Sequence, residues 1–217
     1  ALMAGNTLVF KPASLTPRVG GCFVEAFDEA GLPAGVINLV TGDGSTVGEE
    51  FVVNPRIRAI SFTGSTPVGM AIHKKAAETL AKTQLEMGGK NPVVVLADAD
   101  LDAAADATVL AAYACAGQWC TSTSRAIVES SVAEEFNQKV VERVKQLRVG
   151  NGLDPESGMG PVCGEAQLRD ILKYIEIGVN EGAKLLAGGK RMAGQGFDDG
   201  CFIEPTVFGK VTPNMRI

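Results

Sequence analysis

The sequence predicts an α/β protein built on parallel strands, and three observations carry that prediction. Short apolar runs alternate with helix-length amphipathic stretches along most of the 217 residues. Several of the runs are apolar throughout, as strands covered on both faces are. Glycine-containing turns stand repeatedly where such a run gives way to a helical pattern.

The elements follow in order. Residues 7–11 (TLVFK) form a short apolar run that stops at Pro12, a strand. Residues 17–30 read as a helix, with Pro17 in the first turn and Gly31 as the stop. Residues 36–40 (VINLV) are a buried-strand candidate, followed by a glycine turn over 41–45 and a helix to about Val53. A strand over 57–62 leads through Thr63-Gly64-Ser65 into a helix reaching about Ala81. Strands over 83–87 and 92–96 flank Gly88-Gly89, where a change of domain is expected. An alanine-rich helix covers 101–116, and a polar loop over 117–124 holds Cys120. A strand over 125–129 and an amphipathic helix over 132–147 come next. A loop over 150–164 and a helix over 165–181 precede strands near 184–186 and 202–208, which bracket a glycine-rich surface loop over 188–200.

Composition narrows the function classes. With 46% hydrophobic residues the chain can bury a sizeable core, and 21% charged residues exclude a disordered polyelectrolyte. A net charge of -5 argues against nucleic acid as a partner. No apolar stretch is long enough to span a membrane, and no basic segment precedes an apolar run at the start. The cysteines, 22, 115, 120, 163 and 201, are odd in number and contain no CxxC pair, so a disulfide framework or zinc site is not expected. His73 stands alone, which excludes a histidine-rich metal site; a reduced, cytoplasmic setting fits best. The chain opens and closes as if mid-fold, and a portion of a longer protein is expected.

Four features can carry chemistry. Gly42, Gly44 and Gly48 form a GxGxxxG between a strand and a helix, a turn that can aim backbone N–H groups at a phosphate or be an ordinary connection. Ser65, after Gly64, can cap a helix, bind an anion, or both. Cys120 lies in a polar loop beside Gln118 and Thr121, where a thiol can act as a nucleophile or be a structural cysteine. Cys115 and Cys22 fit the buried structural role better. Glu86 is a lone carboxylate among apolar strand residues. Buried there its pKa would rise and it could serve as a base; facing outward it would be a plain strand residue.

Four segments then add up in order: Asn6 to Ser14 (NTLVFKPAS), Phe62 to Gly69 (FTGSTPVG), Glu86 to Pro92 (EMGGKNP) and Gly117 to Cys120 (GQWC). With Phe202-Ile203-Glu204-Pro205-Thr206-Val207 they resemble the NAD(P)-dependent aldehyde dehydrogenase superfamily over essentially the whole chain. The resemblance implies part of a Rossmann-like, parallel-sheet cofactor domain over 1–87 and most of an α/β catalytic domain over 88–217. It implies that Cys120 attacks the aldehyde carbonyl to give a thiohemiacetal and then a thioester. Glu86 would activate the water that releases the acid. Lys11 would hold the adenosine ribose, Ser65 the pyrophosphate with Gly64 permitting close approach, and Gly44 and Met87 would line the cofactor site. The Cys120 N–H would supply half of an oxyanion hole. A homodimer or homotetramer of the full-length protein is also implied.

Two departures matter. Many NAD-specific members carry glutamate three residues after the ribose-binding lysine; here that place is Ser14, which would not repel a 2′-phosphate. NADP is therefore expected to be accepted, alongside NAD. Family members are also about twice this length, so an oxyanion-hole asparagine, a ribose-binding glutamate and a subunit-pairing strand are not among these residues. The Cys120 loop, with Thr121 and the Ser124-Arg125 pair, is similar to that of bacterial α-ketoglutarate semialdehyde (2,5-dioxovalerate) dehydrogenases, and succinate semialdehyde dehydrogenases are close relatives. Arg125 is expected to start a strand rather than reach a substrate. A CoA-acylating relative and a non-catalytic protein on the same scaffold are the alternatives; Glu86 favours hydrolysis, and Cys120 with Glu86 favours an active enzyme.

Overall fold

In the computed structural model, which describes residues 1–217, the chain divides between Met87 and Gly88 into two units. The first runs from β1 (Leu8–Phe10) through α1 (Pro17–Glu29) to β2 (Ile37–Leu39), then through α2 (Glu49–Val53) to β3 (Ala59–Gly64), α3 (Thr66–Ala76) and β4 (Lys82–Met87). β1 pairs with β2 and β3 with β4, both in parallel. A helix crosses between the strands of each pair, as parallel pairing demands.

Local sequence explains these boundaries. Pro17 occupies the first turn of α1, and Gly31, at φ 80°, ends it. The Gly31 N–H donates to Asp28 O at 2.9 Å and the Leu32 N–H to Phe27 O at 3.0 Å, closing a Schellman motif. Gly20 lets α1 approach β1, because a Cβ there would lie 2.5 Å from the Pro12 ring. Phe10, Phe23 and Phe27 stack edge-to-face along that seam, with centroids 5.6 and 5.1 Å apart. Gly69 does for α3 what Gly20 does for α1, since a Cβ would meet Met87 Sδ at 2.6 Å.

The second unit contains β5 (Asn91–Val95), α4 (Leu101–Tyr113), β6 (Thr123–Val128), α5 (Ala133–Gln146), α6 (Glu165–Asn180), β7 (Lys184–Ala187) and β8 (Val207–Gly209). β5 pairs with β6 in parallel, and β7 with β8 antiparallel. Asp100 caps α4, its Oδ1 accepting from the N–H groups of Asp102 and Ala103 at 3.0 and 3.1 Å. Phe136, Val140 and Val144, spaced by four on α5, bury against Val95 of β5 and Ala105 and Val109 of α4. Met159, Val162, Leu168 and Ile203 make a second core. Lys139 and Arg143 of α5 pair with Asp102 of α4 at 2.8 and 2.9 Å, and Arg143 also with Asp106.

Several expectations are corrected. The parallel strands hydrogen-bond as separate pairs rather than as one sheet. The helix expected to reach Ala81 stops at Ala76, continues as a 3₁₀ turn over Ala77–Thr79, and ends at Leu80 in the left-handed region, φ 56°. The alanine-rich helix stops at Tyr113, not Ala116, because Cys115 and Ala116 turn to φ 51° and 56°. The following strand begins at Thr123, so the polar loop is shorter than expected. The strand over 202–208 reduces to Val207–Gly209, with Ile203 making an isolated bridge to Arg191 and Pro205, which has no N–H to donate, between them. The turn after β2 is a single π-helical turn, Gly44–Gly48.

Apolar strand residues remain open. Val94 and Ile127 lie opposite each other in the β5–β6 register and are 61% and 56% exposed. Parallel strands ordinarily have both faces covered. No helix is long and apolar enough to cross a membrane.

Candidate active site

In the first unit the expected cofactor residues lie at or in the connections that follow the carboxyl ends of parallel strands. Lys11 directly follows β1, Gly44 opens the turn after β2, Gly64 ends β3 with Ser65 next, and Met87 ends β4. Loops at the carboxyl ends of parallel strands are where open α/β sheets bind their ligands. Lys11 Nζ donates to the carbonyls of Pro12 at 2.8 Å and Gly42 at 3.3 Å, tying the end of β1 to the turn after β2. Ser65 is the N-cap of α3, yet its hydroxyl makes no capping bond, which leaves it free for another acceptor or donor. Nothing lies within 4 Å of a Cβ built at Gly44, so the backbone there is open to a ligand. Ser14 is exposed in the turn before α1. The unbonded Ser65 hydroxyl at a helix start and the open backbone at Gly44 are chemically suited to an anionic group.

Glu86 lies on β4 opposite Thr63 and shares the exposed face of that strand with Lys82 and Gln84. It has no ion-pair partner. Within its own unit it is not the buried carboxylate that its apolar neighbours predict; the outward-facing alternative is what the strand alternation produces. His73 is exposed and hydrogen-bonds through Nδ1 to Thr83 Oγ1 at 2.8 Å.

In the second unit Cys120 sits in a tight turn. The Ser122 N–H donates to Trp119 O, and the Trp119 N–H to Ser122 Oγ, both at 3.2 Å. This reciprocal pair pins Trp119 and buried Ser122, leaving Cys120 and Thr121 exposed at the corner. The Cys120 N–H donates to no group of the chain. Three consecutive left-handed residues, Cys115, Ala116 and Gly117 at φ 51°, 56° and 71°, deliver the chain into this turn. Such a run is costly without glycine and persists where its surroundings fix it. Here Ala116 packs on the second core, Gln118 Oε1 accepts from the Cys163 N–H at 2.8 Å, and Gln118 Nε2 donates to Cys115 O at 3.2 Å. An open cleft of about 530 Å³ lies beside the turn, lined by Gly117, Gln118, Cys163, Gln167 and Ile171 among others.

The expectation that Cys22 and Cys115 are buried is corrected. Cys22, Cys115 and Cys163 are all exposed, and only Cys201 is partly covered. Exposure therefore does not single out Cys120; its turn does. Arg125 lies inside β6 rather than at its start, and its Nη2 donates to Lys90 O at 2.6 Å. Partial burial, and then the adjacent charge of Arg125, holds the Lys90 ammonium below its ordinary pKa. Sequence reasoning missed Asn91, whose Nδ2 donates to Cys120 O at 2.7 Å and to Ser122 O at 3.0 Å. The available signal was an amide side chain opening an otherwise apolar strand.

The model of the aldehyde dehydrogenase family matches residues 1–217. Among curated relatives, the chain is 46% identical over its full length to an α-ketoglutaric semialdehyde dehydrogenase of Bacillus subtilis, of which it covers 44%. It is 47% identical to a 2,5-dioxopentanoate dehydrogenase of Saccharolobus solfataricus, of which it covers 45%. The chain thus spans less than half the length of these relatives. Among solved structures, betaine aldehyde dehydrogenase of Staphylococcus aureus in complex with NAD+ superposes with a TM-score of 0.96 at 38% identity, over 100% of this chain and 43% of that one. A variant of that enzyme, with NAD+ and a BME-modified cysteine, has the same TM-score of 0.96. HpcC of Thermus thermophilus gives a TM-score of 0.91 at 42% identity, over 94% of this chain and 40% of that one.

Proposed function

Because the chain belongs to the aldehyde dehydrogenase family, we propose that the protein carrying it oxidises an aldehyde to the carboxylic acid with a nicotinamide cofactor, through Cys120 and Glu86. The observation that carries the reading is the Cys120 turn, which presents an exposed thiol next to a backbone N–H without an acceptor. Cys120 Sγ attacks the carbonyl carbon, and the unpaired N–H receives the oxygen as it gains negative charge. A nicotinamide cofactor held by the first unit would supply the hydride acceptor that lets the thiohemiacetal on Cys120 become a thioester. Glu86 takes a proton from water, which adds to the thioester carbonyl; the Cys120 thiolate departs and the acid is released.

Lys11, Gly44, Gly64, Ser65 and Met87 would hold the cofactor along the strand ends of the first unit. Lys11 would hold the adenosine ribose, and Ser65, at the start of α3, the pyrophosphate, where the helix dipole favours negative charge. Ser14 puts no carboxylate near the ribose, which supports use of NADP as well as NAD.

The substrate we propose is a semialdehyde such as α-ketoglutarate semialdehyde. Its support is the higher identity to semialdehyde dehydrogenases, 46% and 47%, than to betaine aldehyde dehydrogenase, 38%. The test is a panel of α-ketoglutarate semialdehyde, succinate semialdehyde, betaine aldehyde and simple alkanals, assayed by reduced-cofactor formation with NAD and with NADP. The dicarboxylate-derived semialdehydes are expected to give the highest kcat/KM; a clear preference for uncharged alkanals overturns the substrate assignment.

A further inference from the structure

Between Asn91 and Pro92 the β5–β6 ladder slips. Asn91 pairs with Thr123 but Pro92 pairs with Arg125, so Ser124 is passed over as a bulge. Bulges re-aim side chains and end regular pairing. This one lies two residues beyond Ser122, at the exit of the Cys120 turn.

Two side chains span the irregularity in opposite directions. From β5, Asn91 Nδ2 donates to Cys120 O at 2.7 Å and to Ser122 O at 3.0 Å. From β6, Arg125 Nη2 donates to Lys90 O at 2.6 Å. The clasp is reciprocal: residues 90–91 hold the turn, and the strand after the turn holds residue 90. The Asn91 contact is the more informative half. One amide group uses both of its N–H bonds on two carbonyls that flank Thr121, so it fixes the orientation of the peptide that follows Cys120. A peptide plane rotates as a unit, so this also restrains the Cys120 ψ angle and the direction of its Cα–Cβ bond. The other side of the turn is held by the reciprocal Trp119–Ser122 bonds.

We propose that Asn91 is a positioning residue for the nucleophile, its carboxamide holding the Cys120 and Ser122 carbonyls so that Cys120 Sγ is presented in a single direction. The inference rests on Cys120 being the nucleophile. Asn91 touches neither substrate nor cofactor in this role. Its effect falls on kcat, because misplacing a reacting atom by about 1 Å costs about a hundredfold in rate. Asn91 is required as a double donor. An isosteric carboxylate would set negative charge against two carbonyl oxygens, whereas its protonated form would restore one donor.

The experiment compares Asn91→Ala, Asn91→Asp and Cys120→Ser in the intact protein. It measures kcat and KM for aldehyde and cofactor, the amplitude of the first-turnover burst, thermal stability, and the rate of Cys120 alkylation by iodoacetamide. Asn91→Ala is expected to lower kcat by about 10- to 100-fold, with the cofactor KM within about twofold of the parent. Cys120 should stay open to iodoacetamide, because the turn is loosened and not closed. Asn91→Asp, which preserves size and shape, is expected to be as slow at neutral pH and to recover activity relative to the parent as the pH falls. A purely structural role would lower thermal stability and burst amplitude while leaving kcat per active site unchanged, and that result overturns the proposal. So does an Asn91→Ala enzyme within twofold of the parent. If Asn91→Ala does not fold, the pH profile of Asn91→Asp decides: no recovery in acid overturns the proposal. Turnover retained by Cys120→Ser would instead sink the nucleophile assignment beneath it, whatever the Asn91 variants do.

Discussion

The two units of this chain hold their candidate chemistry by different means. Ala1–Met87 buries only Val52 and Ala76 among its hydrophobic residues, whereas Gly88–Ile217 buries twelve, from Val95 to Ile203. In the first unit the expected ligand residues sit at strand ends, placed by ladder register and by glycines that admit helices closely. In the second, the nucleophile candidate sits on a turn outside the strands, and side-chain amides and a core-anchored left-handed run hold it. The lesson concerns robustness. A strand end is placed by the register of its ladder. The Cys120 turn rests on a unit with its own core.

Mutations separate the two units. The largest effect is expected at Phe136, fully buried in the core of the second unit. Phe136→Ala should cost about 3–5 kcal/mol, and hydrogen exchange should accelerate throughout 88–217. Exchange confined to α5 would show that the second unit does not rely on a shared core. Next comes Gly20→Ala, whose new methyl would meet the rigid Pro12 ring. It should cost about 1–3 kcal/mol and raise exchange in α1 and β1 while leaving α5 protected. Loss of protection in both units would erase the distinction drawn between them. Asp100→Ala removes the cap that serves two N–H groups of α4. It should cost about 1 kcal/mol, read by denaturant titration.

The smallest effect is a dependence on pH. Hydrogen bonds from Lys139, then Arg143, hold the Asp102 carboxyl below its ordinary range. Its folded pKa is depressed, so its contribution is present above the unfolded value near 4 and fades as the pH falls through the folded value. Asp102→Asn should lower stability slightly at neutral pH, with the difference from the parent vanishing as the pH falls through the acid limb; equal stability of the two at neutral pH would mean that the pairs contribute nothing. The side chain is exposed, so screening keeps the effect small.

Much of this was legible in the sequence. Pro17 and Gly31 bracket α1 because each does locally what a helix start and stop require. The spacing of Phe136, Val140 and Val144 marks the buried face of α5 in the same way. What stayed hidden was decided by distant contacts. Ala114 and Ala116 favour continuing α4, and its end at Tyr113 is held by contacts from far along the chain. The Tyr113 hydroxyl donates to Thr206 O at 2.8 Å, and Ala116 packs on the second core. Burial pushes the Tyr113 hydroxyl pKa up, consistent with a phenol committed to that bond. The site divides likewise. Lys11, Ser65 and Cys120 stand out by motif and position. Asn91 does not, because its role exists only once β5 and β6 are paired.

The residue that carries the acyl group during turnover decides whether Cys120 is the nucleophile. The protein, mixed with an α-ketoglutarate semialdehyde solution and NAD or NADP, is quenched in acid during turnover and its peptides are weighed. An added acyl mass is expected on the peptide containing Cys120 and absent from Cys120→Ser, which forms no reduced cofactor. Acyl mass on Cys115, Cys163 or another residue, or turnover undiminished in Cys120→Ser, would contradict that assignment.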